Sequence, residues 1–289
     1  MGQISLTELS PAIGAEITGI DLRDLNDTAF DAIYEAWMRY QVLRFRDQHL
    51  TDADLVSFSR RLGELDIAPP NENGQRYVEG FPEILVISNV VENGVELGSL
   101  GSGEAVWHTD MSYLPEPPMA SVLYSWEVPA QGGNTGYLNM YSALDGLPAK
   151  LRERVYTLQL KHDATTNSAG YVRAGIDEET DVQTGPGTVH PMVVIHPYTG
   201  RDALYLGRRH RAYILGMELA ESEKLLDEIW RYAVQEKFTW HQHWRAGDLL
   251  MWDNRCTMHR RDAFDPESRR IMHRTQIKGT DKPQTARLS

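Results

Sequence analysis

The sequence predicts a mainly β domain with flanking helices, of the α+β kind, built as a sandwich or barrel. Three observations carry this. Short apolar segments of strand length recur between turns that contain Gly and Pro. Only four segments read as helices, and no β-α-β alternation runs through the chain. There are no repeats, low-complexity tracts or linkers, so residues 1–289 read as one domain, a length at which barrel-like folds form a sizeable core.

The elements follow in order. Gly14–Leu22 reads as a short strand. Asn26–Tyr40 reads as an amphipathic helix, capped by Asn26 or Asp27, with Phe30, Ile33, Tyr34, Trp37 and Met38 at i, i+3, i+4 spacing. Gln41–Arg46 is a strand, and a second helix runs from Thr51 or Asp52 to about Leu62, where Gly63 ends it. Pro69, Pro70, Asn71 and Gly74 make 68–80 a loop, and Ile84–Asn89 is an apolar strand. A Gly-rich loop (Gly94, Gly98, Gly101, Gly103) leads into Trp107-His108-Thr109-Asp110, an extended segment; Pro115, Pro117 and Pro118 then exclude a helix. Ser121–Glu127 and Thr135–Asn139 are strands joined through Gly132-Gly133, and Ser142–Leu158 reads as one helix. Residues 163–190 are polar, contain Gly175, Gly185 and Gly187, and read as a mobile insertion, as does the loop 68–80. Met192–His196, Ala203–Leu206, Phe238–Trp244, Asp248–Trp252 and Arg270–Lys278 are strands; Ala220–Glu236 is a helix.

Composition narrows the function classes. Hydrophobic content of 41% and charged content of 24% are those of a soluble globular protein. No apolar run reaches the length of a membrane span, and MGQISLTELS lacks a basic stretch followed by an apolar one, so no membrane and no signal peptide are expected. One cysteine, Cys256, excludes an intramolecular disulfide and fits a reducing cytoplasm. A net charge of −12 argues against nucleic acid as a partner. The charge is uneven: from Arg255 onward nine Lys/Arg face four Asp/Glu, which suggests a local anion site in an acidic protein.

His108 and Asp110 share one side of an extended segment, because strand side chains alternate with period two. His259, far along the chain in Trp252-Asp253-Asn254-Arg255-Cys256-Thr257-Met258-His259-Arg260, can complete a face around a metal. Two imidazoles and one carboxylate with open positions form the facial triad of non-haem Fe(II) oxygenases. Downstream, the same period puts Arg270, Met272 and Arg274 on one strand face and Arg269, Ile271 and His273 on the other. Arginine suits anion recognition, since its planar fork pairs a carboxylate and keeps its charge. Gly132-Gly133-Asn134-Thr135 adds a hydroxyl just past a tight turn.

These four blocks, in this order, resemble the taurine/2,4-dichlorophenoxyacetate dioxygenase (TauD/TfdA) family over nearly the whole chain, from Gly14-Ala15-Glu16-Ile17 to about Ile277. The resemblance implies a double-stranded β-helix, a cupin-like jelly roll, and an Fe(II)- and 2-oxoglutarate-dependent dioxygenase. It implies that His108, Asp110 and His259 bind Fe(II) and carry the catalysis. Arg270 and the Thr135 hydroxyl would hold the far carboxylate of 2-oxoglutarate, and O2 would take the last metal position. Arg274 would bind the anionic group of a small prime substrate, which is hydroxylated at a C–H bond with release of succinate and CO2. A homodimer or homotetramer is also implied. The substrate loops depart from taurine-specific members: Ala68 and Asn71 stand where those have His and Tyr, and Glu104 where they have Asn. Met111, Tyr113, Asn167, Ser168 and His210, with Glu104, are the candidate pocket residues. Aryloxyalkanoates and alkyl sulfonates or sulfates fit such a pocket better than taurine. A zinc hydrolase using the same three ligands and a non-catalytic jelly-roll binding protein are the alternatives; the first leaves Thr135, Arg270 and Arg274 without a task.

Overall fold

The computed structural model describes residues 4–70, 74–173, 175–177 and 181–287. Two facing sheets form its centre. The larger has eight strands in the order Ser5–Glu8, Ala15–Thr18, Val42–Phe45, Leu249–Asp253, Ala120–Glu127, Ile271–Ile277, Leu85–Ser88 and Ser99–Leu100. Its pairs are antiparallel except Ala15–Thr18 with Val42–Phe45 and Leu85–Ser88 with Ser99–Leu100. The smaller runs Thr239–Gln242, Thr135–Asn139, Thr257–Arg261, Ala105–His108, antiparallel throughout. Tyr137 of the small sheet packs with Leu123, Leu250, Trp252 and Met272 of the large one, so one apolar cluster fills the space between them. This is the double-stranded β-helix, with strand side chains alternating between the interior and the outer layers.

The outer face of the large sheet buries Val122, Tyr124, Leu249 and Met251 against two helices, Asp27–Tyr40 and Asp52–Arg60. The first starts where Asn26 accepts a hydrogen bond from the Ala29 amide at 2.8 Å, and it turns Ile33, Trp37 and Met38 inward. The second starts with a reciprocal pair, in which Thr51 and Asp54 each cap the other's backbone N–H. A third layer joins Gln159–Asp163, Gly187–Pro191 and Tyr213–Ile214 to the helix Leu219–Ala233, which packs on Leu138 and Met258 of the small sheet.

Some expectations need correction. Ser142–Leu158 is not one helix but two, Met140–Asp145 and Ala149–Val155. Pro148 sits between them in an extended conformation, because its ring and missing N–H cannot continue the first helix. Phe238 belongs to a 3-10 turn, Glu236–Phe238, and the strand is only Thr239–Gln242. The segment 163–190 does not leave the sheets at once: Gln159–Asp163 and Gly187–Pro191 pair across its ends, and Thr166 bridges Val172 inside it. Asn71 of the 68–80 loop lies outside the described residues.

Candidate active site

The strands Ala105–His108 and Thr257–Arg261 run antiparallel with His108 directly opposite His259, and their rings lie 4.1 Å apart. Asp110 follows in the turn, where Met111 takes a left-handed φ of 46°. That turn brings Asp110 Oδ1 to 3.7 Å from His108 Nε2 and 3.9 Å from His259 Nε2. One ligand atom from each of the three lies within 4.8 Å of the others, and all three residues are buried. His108 Nδ1 is 2.7 Å from the Val106 carbonyl. A carbonyl only accepts, so Nδ1 carries the proton and the Nε2 lone pair faces the cluster. Burial, and then the neighbouring His108 and Arg274, push His259 down to about 3 and keep its imidazole neutral. Burial alone would raise Asp110, but Arg274, His259 and His108 hold it well below the usual carboxylate range. Two imidazoles and one ionised carboxylate are a donor set for a divalent cation.

Asp110 is held from behind by a hydrogen-bond network. Ser121 donates to Asp110 Oδ2 at 2.8 Å. Ser121 Oγ accepts from Asn254 at 3.1 Å and from Gln276 at 3.4 Å, and Asn254 Oδ1 accepts from the Trp252 indole at 2.9 Å. The carboxylate is thereby fixed in both position and rotamer. Asp253 instead pairs with Arg255 and His196. His196, Asp253 and Cys256 also come close together, but His196 Nδ1 accepts from the Tyr198 and Thr199 amides while Nε2 meets Asp253. With both ring nitrogens engaged, that cluster ties the turn before His259 to the loop at 196–199.

A second, cationic pocket adjoins the metal cluster. Arg270 is 2% exposed, its Nε has no hydrogen-bond partner, and among the described residues no carboxylate pairs with it. Burial, and then the neighbouring Arg261, push Arg270 down to about 9. Thr135 sits directly across the sheet from Arg261, and its hydroxyl accepts from the Trp244 indole at 2.9 Å. Gly132 and Gly133 both take left-handed φ (76° and 63°), and a Cβ on Gly133 would meet Arg270 Cδ at 3.4 Å. A Cβ on Gly132 would lie 2.8 Å from the Ala263 carbonyl, so the turn packs closely on the segment before Arg270. A buried guanidinium with no internal anion is costly unless a ligand supplies one. A dicarboxylate that chelates a metal at one end and reaches Arg270 with the other meets that need.

Arg274 stands on the inner face with Arg270 and Met272, while Arg269 pairs with Glu92 and Glu127 at the surface and His273 meets Asp52. Arg274 donates to Asp110 Oδ1 at 3.0 Å and to Gln276 at 3.3 Å, and its Nε is buried without a partner. Met111 and Tyr113 follow Asp110 in the same turn, and the charges of Asp110 and Arg274 both reach the Tyr113 phenol. The Ser168 carbonyl accepts from the Val106 amide at 3.2 Å, which sets Ser168 at the rim beside the His108 strand. Three other candidates do not converge. Glu104 is largely exposed and faces outward to Arg260, because a bulge shifts the register between His108 and Ala105. Asn167 spends its side-chain oxygen on the Ala169 and Tyr171 amides of its own turn. His210 is solvent-exposed. Arg261, Ser121 and Gln276 were not anticipated. The period of two already used for Arg270 and Arg274 would have put Arg261 on the His259 face.

The profile described as "Taurine catabolism dioxygenase TauD, TfdA family" matches residues 5–276. The chain belongs to the TauD/TfdA family. A relative named (S)-phenoxypropionate/alpha-ketoglutarate-dioxygenase from Sphingobium herbicidovorans is 34% identical, over 97% of each chain. An alpha-ketoglutarate-dependent sulfate ester dioxygenase from Pseudomonas putida is 32% identical, over 89% of this chain and 83% of the relative. The structure of AAD-2 in complex with Mn(II) and N-oxalylglycine is 28% identical with a TM-score of 0.77, covering 97% of this chain and 99% of the other. The protein is thus a 2-oxoglutarate-dependent dioxygenase, and the family uses Fe(II), 2-oxoglutarate and O2. Among the described residues no helix is long and apolar enough to cross a membrane.

Proposed function

We propose that this dioxygenase hydroxylates a C–H bond of a small anionic organic substrate, an aryloxyalkanoate-like carboxylate or an alkyl sulfate or sulfonate. His108, Asp110 and His259 hold Fe(II), Arg270 and Thr135 hold the far carboxylate of 2-oxoglutarate, and Arg274 receives the anionic group of the substrate. The bound metal supplies O2 activation coupled to decarboxylation of the cosubstrate. The protein orients the two organic anions and excludes water. One O2 is divided between succinate and the hydroxylated product, with CO2 released. Where the hydroxylated carbon bears oxygen or sulfur, the product collapses with cleavage of that bond.

The observation that carries this reading is Arg270, a buried guanidinium with no carboxylate partner among the described residues, beside a His/Asp/His cluster. A zinc hydrolase has no use for that cation. The relatives named above act on phenoxypropionate and on sulfate esters, which supports the substrate class. The buried Cys256 fits a cytoplasmic enzyme, and we read the assembly as a homodimer or homotetramer, a point for sedimentation analysis.

The direct test is anaerobic addition of Fe(II) and 2-oxoglutarate to the protein. A weak visible charge-transfer band is expected, and air should then give succinate. Absence of both, with hydrolysis supported by Zn(II), would overturn the reading.

A further inference from the structure

We propose that Arg173 makes the substrate pocket a two-cation site, and that the preferred substrate is a dianion: a small organic acid carrying a second carboxylate or sulfate at the end away from Arg274. The proposal rests on the assignment of Arg274 given above.

Arg173 closes a short hairpin. Thr166 bridges Val172, the Asn167 amide donates to Tyr171 at 2.8 Å, and the Arg173 amide donates to the Thr165 carbonyl at 2.9 Å. The hairpin is fastened to the metal-bearing strand. Val106, two residues before His108, donates to Ser168, and Arg208, which bridges His108 across the sheet, donates to the carbonyls of Thr166 and Asn167. Its position therefore follows that of the His108 strand.

From this hairpin the Arg173 guanidinium lies over the Tyr113 ring, 4.3 Å from its centroid. Tyr113 is three residues past Asp110. Burial raises its phenol above the ordinary value, and the charges of Arg173, Asp110, Arg274 and Arg208 all reach it. Arg173 is thus seated on the ring that stands three residues past Asp110, the carboxylate that Arg274 holds. Asp110 belongs to the metal cluster. Arg208 already has Asp163, 3.5 Å away. Arg274 shares Asp110 with the metal cluster, and Arg173 has no carboxylate of its own among the described residues. The Arg173 Nε is buried without a hydrogen-bond partner. The ring beneath it attracts a cation but offers no acceptor for its N–H groups. A second anionic group on the substrate would give the Arg173 guanidinium the acceptor that the ring cannot, while the first meets Arg274.

The test compares matched substrates on the Fe(II)/2-oxoglutarate enzyme: phenoxyacetate against 4-carboxyphenoxyacetate, and hexyl sulfate against 6-(sulfooxy)hexanoate. The readouts are kcat/KM from succinate formation and Kd from anaerobic calorimetry. In at least one pair the dianion should be preferred by about tenfold or more in both, the size of one charge-assisted hydrogen-bonded contact. Arg173→Gln should collapse that ratio to about twofold through the dianion alone, and Arg173→Lys should keep part of it. A wild-type enzyme that prefers neither dianion overturns the proposal. So does an Arg173→Gln variant that weakens both members of a pair equally, which would mean the stack on Tyr113 only braces the hairpin. Succinate formed without substrate is scored separately. Succinate that none of the four substrates stimulates sinks the assignment of Arg274, whereas stimulated succinate without dianion preference sinks only the role of Arg173.

Discussion

Arg270 shows how a buried charge defines a ligand. Removing one partner of a desolvated charge pair costs about 2–5 kcal/mol, so Arg270→Ala should raise the 2-oxoglutarate Kd by about thirtyfold or more while sparing metal affinity. Calorimetry on the metal-loaded protein checks this, and an unchanged Kd would remove Arg270 from the pocket. The same residue predicts a pH profile. Burial pushes its value down, but a guanidinium stays protonated through the working range, so cosubstrate affinity should hold level from about pH 7 to 9. A fall over that range that Arg270→Ala abolishes would contradict the assignment. The two inner arginines were legible because period two fixes which strand residues share a face, whereas Asp110 reaches the two histidines through a turn. Arg261 follows from the same rule. The outward turn of Glu104 could not be read because a bulge is invisible to alternation, and Arg173 was invisible because its partner, Tyr113, is distant in sequence.

At the scale of elements, the local signals were strong wherever a cap or a breaker acts alone. Asn26 and Thr51 start their helices as their side chains dictate. Asn26→Ala should cost about 1 kcal/mol, read as a lower urea midpoint with an unchanged slope. No change would mean the helix is held only by the packing of Ile33 and Trp37. The break at Gly146–Pro148 has both a local and a tertiary cause. Pro148 stops the helix, and a Cβ at Gly146 would lie 2.4 Å from the Phe238 ring. Only the first of these can be read from sequence. Gln159–Asp163 escaped notice because its Lys, His and Asp read as polar, although all three are buried. Lys161 meets the Val182 and Gly185 carbonyls, a compensation that exists only in the folded chain.

For the whole molecule, ligand binding and stability are linked. Fe(II) with 2-oxoglutarate at a hundred times its Kd should stabilise the fold by about 2.7 kcal/mol, a rise in Tm of about 5 °C for a chain of this size. Anaerobic scanning fluorimetry measures it. Pyruvate, which lacks the far carboxylate, should give a clearly smaller rise, and an equal rise would detach Arg270 from the effect.

The metal donors and the arginines we propose as anion sites come from different parts of the fold. His108 and His259 stand on the small sheet, Arg270 and Arg274 along the facing strand of the large one, and Arg173 on a hairpin outside both. Oxidising power and substrate choice therefore meet only at the turn after Asp110. A library confined to Met111, Tyr113 and the 165–173 hairpin would re-aim the enzyme at new molecules while its chemistry stays intact.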